Sequence, residues 1–511
     1  MLRSLFALLS LSLFAASPVF AEKTLSGKPY TKSTDLDAID LDAINIDTRL
    51  PDALHSDLPE LGDYSQTILS AQDEQRIAAQ ILREVAVSDE VLQDVEIADY
   101  LQILGNRLAA ASDDKQQSFN FFVVKDPSIN AFAMPGGVIG VHTGLFLASH
   151  SESELASVLG HEIGHVTQHH LARMLAKQKT DTFKNIAGIA LALLVARTNP
   201  ELASGALSAS SAAGIQRQLD YTREHEREAD RVGLSVLKNA GFDPRGMPAF
   251  FITLQKGSRF VDGSAPSFLR THPLTSERIS DVEDRVVNMP YKQVGSSLGY
   301  YFVRAKLRAN QGLAQVAIDQ FERNIKEGRY ANEIAEHYGL AIAMLRQSDV
   351  AGASAQVQWL DAHAVQSAFV ENVKARIAVV EDNPKKAAKQ YVAALKRYPE
   401  NRALIYGYAE HFLAIKQTEK MITLVKEKQK LYIADPYFYT LLSKAYLLEH
   451  KDLLRFQAQG EAYYRQYNVD KAAEQMDFAT KAKDGSFYEK SIVEARLKEL
   501  RRLQEISKPT S

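Results

Sequence analysis

One stretch constrains this chain more than any other: Ser151 to Arg173, SESELASVLGHEIGHVTQHHLAR, which carries His161-Glu162-Ile163-Gly164-His165. Ser151 with Glu154 three residues later is a capping-box helix start, and Leu155, Val158, Leu159, Ile163 and Val166 recur at helical spacing. Residues four apart on a helix differ by ~40° in azimuth and ~6 Å in height, so the imidazoles of His161 and His165 can lean onto one tetrahedral zinc. Glu162 stands beside them, where a carboxylate can take a proton from a water made acidic by the metal. With 13 histidines in 511 residues, random placement yields such an HExxH roughly 0.02 times. The same letters also fit two polar-face histidines and a solvated Glu on a surface helix. His169 stands eight residues from His161, ~12 Å along a continuous helix, whereas ligand atoms on one zinc are ~3.5 Å apart. His169 and His170 are therefore expected to face solvent.

Two imidazoles do not complete a zinc site, so a third group must come from elsewhere. Glu226 in REHEREAD, Arg223 to Asp230, is the best candidate. Val232, Val236 and Ala240 follow at helical spacing, and Gly241 and Pro244 close the segment as a helix C-terminus does. Glu226 and Asp230 then share one face, so one can bind metal while the other accepts a ring N–H from a ligand histidine. Taken alone, this charge-dense segment also fits a solvated face laced with i to i+4 ion pairs.

HEIGH followed after about sixty residues by EREAD resembles the gluzincin metallopeptidases related to HtpX and the CAAX prenyl proteases. Asn130 to Gly137, NAFAMPGG, running into Val138 to Val141, resembles the strand that precedes the active-site helix in that family, and Thr271-His272-Pro273 with Arg278-Ile279 is a third match. The resemblance implies Glu226 as the third zinc ligand and Asp230 as a residue behind the ligands. It implies for His272 a fourth zinc position that restrains the enzyme, against the alternative of an ordinary loop histidine. Export signal, protease region and C-terminal repeats together are similar to periplasmic members of the family. This implies unfolded or stalled outer-membrane β-barrel proteins as clients and the barrel-insertion complex as partner.

The ends of the chain add a compartment. Arg3, the apolar run Leu5 to Phe14 and Val19-Phe20-Ala21 read as a signal peptide, residues 1–21, cleaved after Ala21, with export to the periplasm. The absence of cysteine removes disulfides, thiol nucleophiles and a lipidated N-terminal Cys. A net charge of −3 gives no global attraction to nucleic acid, and no nucleic-acid partner is expected. Residues 22–65 read as an acidic lead-in; DLDAIDLDAINID, Asp35 to Asp47, lacks the Gly and terminal Glu of a calcium loop.

Helical patterns cover Ala71 to Val85 and about Val95 to Ala110, and strands are expected at Phe119 to Val124 and Val138 to Val141. In the related peptidases such a strand is a sheet edge on which an extended substrate lies, a role that would fall to Ala131 to Val141, against the alternative of a plain core strand. Ile186 to Ala196 is the most apolar run of the mature chain, yet eleven residues make a helix of only ~16 Å, half a bilayer. With the Ala- and Ser-rich stretch to Gly214 it forms either a flap that covers the site or touches the membrane surface peripherally, or an internal helix with its connection.

From about Tyr300 paired helices repeat with a period near 34. A repeat start at 368 puts Ala375, Ala387, Tyr391, Ala394 and Pro399 on the small, aromatic and proline positions of the tetratricopeptide pattern; starts near 334 and 298 align Ala341 with Ala353, and Ala305 with Ala317 and Phe321. Later repeats, through Ala409 and Ala445, fit more loosely. The expected fold is an α+β zincin-like metalloprotease domain over residues 66–296 followed by an all-α tetratricopeptide-repeat solenoid over 297–511. Its expected activity is zinc endopeptidase action, with one Zn2+ per chain on His161, His165 and Glu226, and Glu162 and Asp230 as the catalytic carboxylates. The alternative is mainly a chaperone or adaptor scaffold whose protease site is normally closed.

Overall fold

A computed structural model describes residues 70–115, 117–178, 223–259, 267–290 and 294–507. The expected export signal at 1–21, the expected acidic lead-in at 22–65 and the stretch 186–214, expected as a flap or an internal helix, lie outside the described residues.

Ser70 caps α1 (Ala71–Val87) by accepting from the Asp73 amide, and Asp94 caps α2 (Val95–Ala109) by accepting from Glu96 and Ile97. Three strands follow: β1 (Asn120–Val124), β2 (Ala131–Met134) and β3 (Val138–His142). Their order is β1-β3-β2; β1 runs parallel to β3 with Asn120 opposite Val138, and β2 antiparallel to β3 with Ala133 opposite Ile139. Side chains alternate between two apolar layers. Phe121, Val123, Ile139 and Val141 join the main core, while Phe122, Val124 and Val138 meet Ile77, Ile81 and Val85 of α1.

The expected continuous edge from Ala131 to Val141 is corrected by this topology. Pro135–Gly137 makes a 3-10 turn with Gly136 at φ 71°, which folds the segment into a hairpin, and β3 takes the centre of the sheet with neighbours on both sides. Both β1 and β2 are edge strands; the outer side of β1 meets Val91 in an isolated bridge at Val124, and among the described residues the outer side of β2 meets no strand or bridge.

Among the described residues, seven helices follow in the first region: α3 (Thr143–Ala148), α4 (Glu152–Thr167), α5 (His170–Gln178), α6 (Arg223–Asn239), α7 (Gly246–Arg259), α8 (Ser267–Thr271) and α9 (Ser276–Val287). Six helix pairs then stack: α10–α11 (Leu298–Asn310, Ala314–Glu327), α12–α13 (Glu333–Arg346, Val350–Ala362), α14–α15 (Ala368–Val380, Pro384–Arg397), α16–α17 (Arg402–Ala414, Thr418–Gln429), α18–α19 (Pro436–Leu448, Asp452–Arg465) and α20–α21 (Val469–Thr480, Phe487–Ser507). Ala305, Ala341, Ala375, Ala409 and Ala445 are all buried, where a larger residue would push paired helices apart. The architecture is thus a small mixed sheet with helices followed by a long all-helical array. The two parts share a helix: Tyr300, Val303 and Leu307 of α10 enter the core of the first part, while Phe302 and Ala305 enter the next one. Among the described residues, no helix is long and apolar enough to cross a membrane.

Candidate metal centre

Two buried helices meet at small residues. Ser151 accepts from the Glu154 amide to start α4, and Glu154 Oε2 accepts from the amide of His150, the residue before the cap, at 2.9 Å. A Cβ on Gly164 would stand 3.0 Å from the Ala229 carbonyl oxygen of α6, and one on Gly160 would stand 3.1 Å from that of Gly233. A larger residue would crowd this seam, and the close approach sets the histidines of α4 opposite the carboxylates of α6.

His161, His165, Glu226 and His272 each offer one atom to a buried group whose atoms all lie within 4.8 Å of one another. His161 Nε2 is 3.0 Å from His165 Nε2, 3.4 Å from His272 Nδ1 and 3.6 Å from Glu226 Oε2. His165 Nε2 is 3.4 Å from Glu226 Oε1, and His272 Nδ1 is 2.9 Å from that oxygen. A tetrahedron with metal–ligand bonds of about 2.0–2.2 Å has edges of about 3.3–3.6 Å, so the donor set and its spacing fit a metal such as zinc.

Behind this group His161 Nδ1 lies 2.9 Å from Asp230 Oδ1. Arg278 grips Asp230 with two bonds of 2.7 and 2.8 Å and reaches Glu226 Oε2 at 2.6 Å. Burial pushes the Glu226 carboxyl up, but the charge on His272 and hydrogen bonds from His165 and His272 outweigh it and hold it well below the usual carboxylate range. Burial likewise opposes ionisation of Asp230, and hydrogen bonds from His161 and Arg278 keep it ionised to lower pH than usual. Burial drives His165 well below the ordinary imidazole value.

Glu162 is fully buried beside the cluster, with His272 Nε2 3.6 Å from its Oε1. Among the described residues no side chain hydrogen-bonds its oxygens. Burial raises its proton affinity, and the charges on His272 and His161 only partly offset that. A carboxylate held this way is more basic than one in water, as proton abstraction requires. The Ala133 backbone of β2 also acts on Glu162, lowering its proton affinity.

His170 was expected to face solvent and does not. The α4 helix stops at Thr167, His169 takes φ 49°, and the chain turns so that α5 carries a fully buried His170 back against His165. The ~12 Å offset assumed a helix that continued. His169 itself keeps a partly exposed side chain, 4.0 Å from Glu74. Arg278 is the other residue whose part the spacing of the zinc motif does not show; only its place after the Thr271-His272-Pro273 match singled it out.

Residues 97–286 match peptidase family M48. The chain is 29% identical over 450 residues to the beta-barrel assembly-enhancing protease of Yersinia pestis, covering 88% of this chain and 92% of that one. To the protein of the same name from Escherichia coli strain K12 it is 28% identical over 454 residues, covering 88% and 93%. A protein of Vibrio cholerae is 38% identical over 291 residues, which span 57% of this chain and 60% of its relative. The matches to these relatives, the family model and the buried donor cluster converge: residues 97–286 carry a peptidase family M48 domain, and the chain is a metalloprotease.

Proposed function

We propose that this chain is an exported zinc endopeptidase whose helical array gathers proteins of outer-membrane β-barrel assembly. The observation that carries the metal assignment is the buried set His161, His165, Glu226 and His272, which offer one ligand atom each, all within 4.8 Å of one another. Zinc suits two or three imidazoles with one carboxylate, and when bound it would supply Lewis acidity that polarises a scissile carbonyl and acidifies water. Glu162 takes a proton on its carboxylate and hands it to the leaving amine. Asp230 accepts the Nδ1–H of His161 and so keeps the lone pair of Nε2 turned inward. Arg278 holds Asp230 and Glu226 in register. The outer side of β2, next to Glu162, binds an extended segment of the client backbone to backbone, which accepts many sequences.

The name shared by the Yersinia and Escherichia relatives supports β-barrel assembly as the process served. Stalled or unfolded barrel proteins are the client class we assign, and the barrel-insertion complex the docking partner. The signal-like residues 1–21 support a periplasmic location. We divide the mature chain into a lead-in at 22–65, a peptidase domain at 66–296 and a tetratricopeptide-type array at 297–511, with α10 belonging to both cores.

The test is metal content of the purified chain. About one zinc per chain is expected, with loss in Glu226→Gln; full retention in that variant removes Glu226 from the site. One observation favours a second reading, a scaffold with a normally closed protease: His272 already fills the fourth corner of the donor set. If that corner restrains the enzyme, His272→Ala hydrolyses peptide faster than wild type, and unchanged or slower hydrolysis rules the restraint out.

A further inference from the structure

The two imidazoles of the HExxH helix are supported from behind by different chemistry. His161 turns Nδ1 to a carboxylate, Asp230. His165 turns Nδ1 to another imidazole, with His170 Nδ1 at 2.9 Å. The far nitrogen of that ring, Nε2, lies 3.0 Å from Glu228 Oε2, and Arg173 Nη1 is 2.9 Å from the same oxygen. His170 is fully buried and stacks on His225, with centroids 4.6 Å apart and planes 18° from parallel, so its ring has little room to turn.

Valence fixes where the protons go. For Nε2 of His165 to offer a lone pair to a metal, the neutral ring must carry its proton on Nδ1. That N–H donates, so Nδ1 of His170 must accept. The proton of His170 then sits on Nε2 and points at Glu228, which accepts from both His170 and Arg173. A single order of protons satisfies the three contacts.

We propose that His170, anchored by Glu228 and Arg173, is a positioning residue that locks His165 in the tautomer and orientation required to bind the metal. This rests on the reading of His165 as a ligand. Where many metal sites back a histidine with a carboxylate or carbonyl, this one inserts an imidazole and places the carboxylate one step further out, with the Glu228 side chain 29% exposed.

The test is zinc affinity of the full chain, read by competition with a chromogenic chelator, with circular dichroism to check folding. His170→Ala should weaken zinc binding by about 10–100-fold. His170→Asn should recover most of that loss, because its Oδ1 can occupy the place of Nδ1 and accept the same hydrogen bond. Wild-type affinity in a folded His170→Ala, or equal damage in both variants, overturns the proposal. Should His170→Ala fail to fold, Glu228→Ala decides, its side chain being partly exposed. A loss of about 10-fold supports the proposal, and unchanged affinity overturns it. Failure of the underlying reading has its own signature: a wild-type chain that binds no zinc, or a His165→Ala chain that binds it as well as wild type, removes the ligand itself.

Discussion

Two of the places where the molecule buries charge are built on opposite plans. At the seam between the catalytic region and the helical array, Lys306 Nζ sits 2.6 Å from Asp94 and 2.5 Å from Glu96, and Arg402 joins Asp99 to Asp435. Each charge there meets its opposite within the protein. At the metal centre the inward-facing atoms are nearly all acceptors or lone pairs: three imidazole nitrogens and a Glu226 oxygen converge on one point. The cost of taking charge out of water is similar in both. At the seam the cations lie between the carboxylates, whereas at the centre Arg278 stands behind Glu226 and Asp230 and the converging donor atoms enclose no cation of the protein's own, so its stability and its activity should answer to metal while those of the seam should not.

The largest expected effect breaks chemistry while leaving every metal-binding side chain and the seam in place. Glu162→Gln keeps the shape of the side chain but cannot take a proton, so peptide hydrolysis should fall by about 10²–10⁴-fold. Zinc content and melting temperature should stay as in wild type. Stripping metal with a chelator should also stop hydrolysis, and it should destabilise the catalytic region as well. At free zinc a thousandfold above Kd, the linked stabilisation that is lost is about 4 kcal/mol. A melting temperature insensitive to chelation would mean that the centre balances its own charge as the seam does.

Next in size is the seam. Lys306→Ala leaves the fully buried Glu96 without its cation, and breaking a buried pair from one side costs about 3–5 kcal/mol. Glu96→Gln added to it should recover part of that loss, since the orphaned charge is then gone. Urea midpoints with and without chelator read both variants. The Lys306→Ala shift should be the same in either condition, and a shift that depended on metal would show the seam and the centre to be coupled.

How much of this the amino-acid sequence revealed follows from which separations are local. The spacing of His161 and His165 speaks because helix geometry converts four residues into one face, and the same rule found α1, expected over Ala71 to Val85 and observed as Ala71–Val87. Phe119 to Val124 likewise became Asn120–Val124. His170 was missed because no residue near His169 announces a left-handed turn, and the estimate of its position assumed the helix ran on. Lys306 and Arg402 were missed for another reason: their partners Glu96 and Asp99 lie 210 and 303 positions away, and no period or motif joins such distances. The later repeats looked loose because pairs begin at 298, 333, 368, 402, 436 and 469. A register fixed at one period loses phase over such steps, although Ala409 and Ala445 are buried like their counterparts.

The smallest expected effect compares the regions most directly, by making one substitution in both. Gly164→Ala would set a Cβ 3.0 Å from the Ala229 carbonyl oxygen between α4 and α6, and Gly460→Ala would set one 3.1 Å from that of Ala472 between α19 and α20. In each, a gain of about 1 kcal/mol in helix propensity opposes about 1–3 kcal/mol of crowding, so both variants should lose about 0–2 kcal/mol. Their consequences should nevertheless diverge. In the array, a small parting of two helices is taken up by apolar side chains that hold no fixed geometry. At the centre the same parting moves His161 and His165 away from Glu226, and ligands answer to distance more steeply than apolar contacts do. Gly164→Ala should therefore lower zinc affinity several-fold at a stability like that of Gly460→Ala, which should bind zinc as wild type does. Equal affinity in the two variants would show that the donor set tolerates helix movement, and that the small-residue seam serves packing alone.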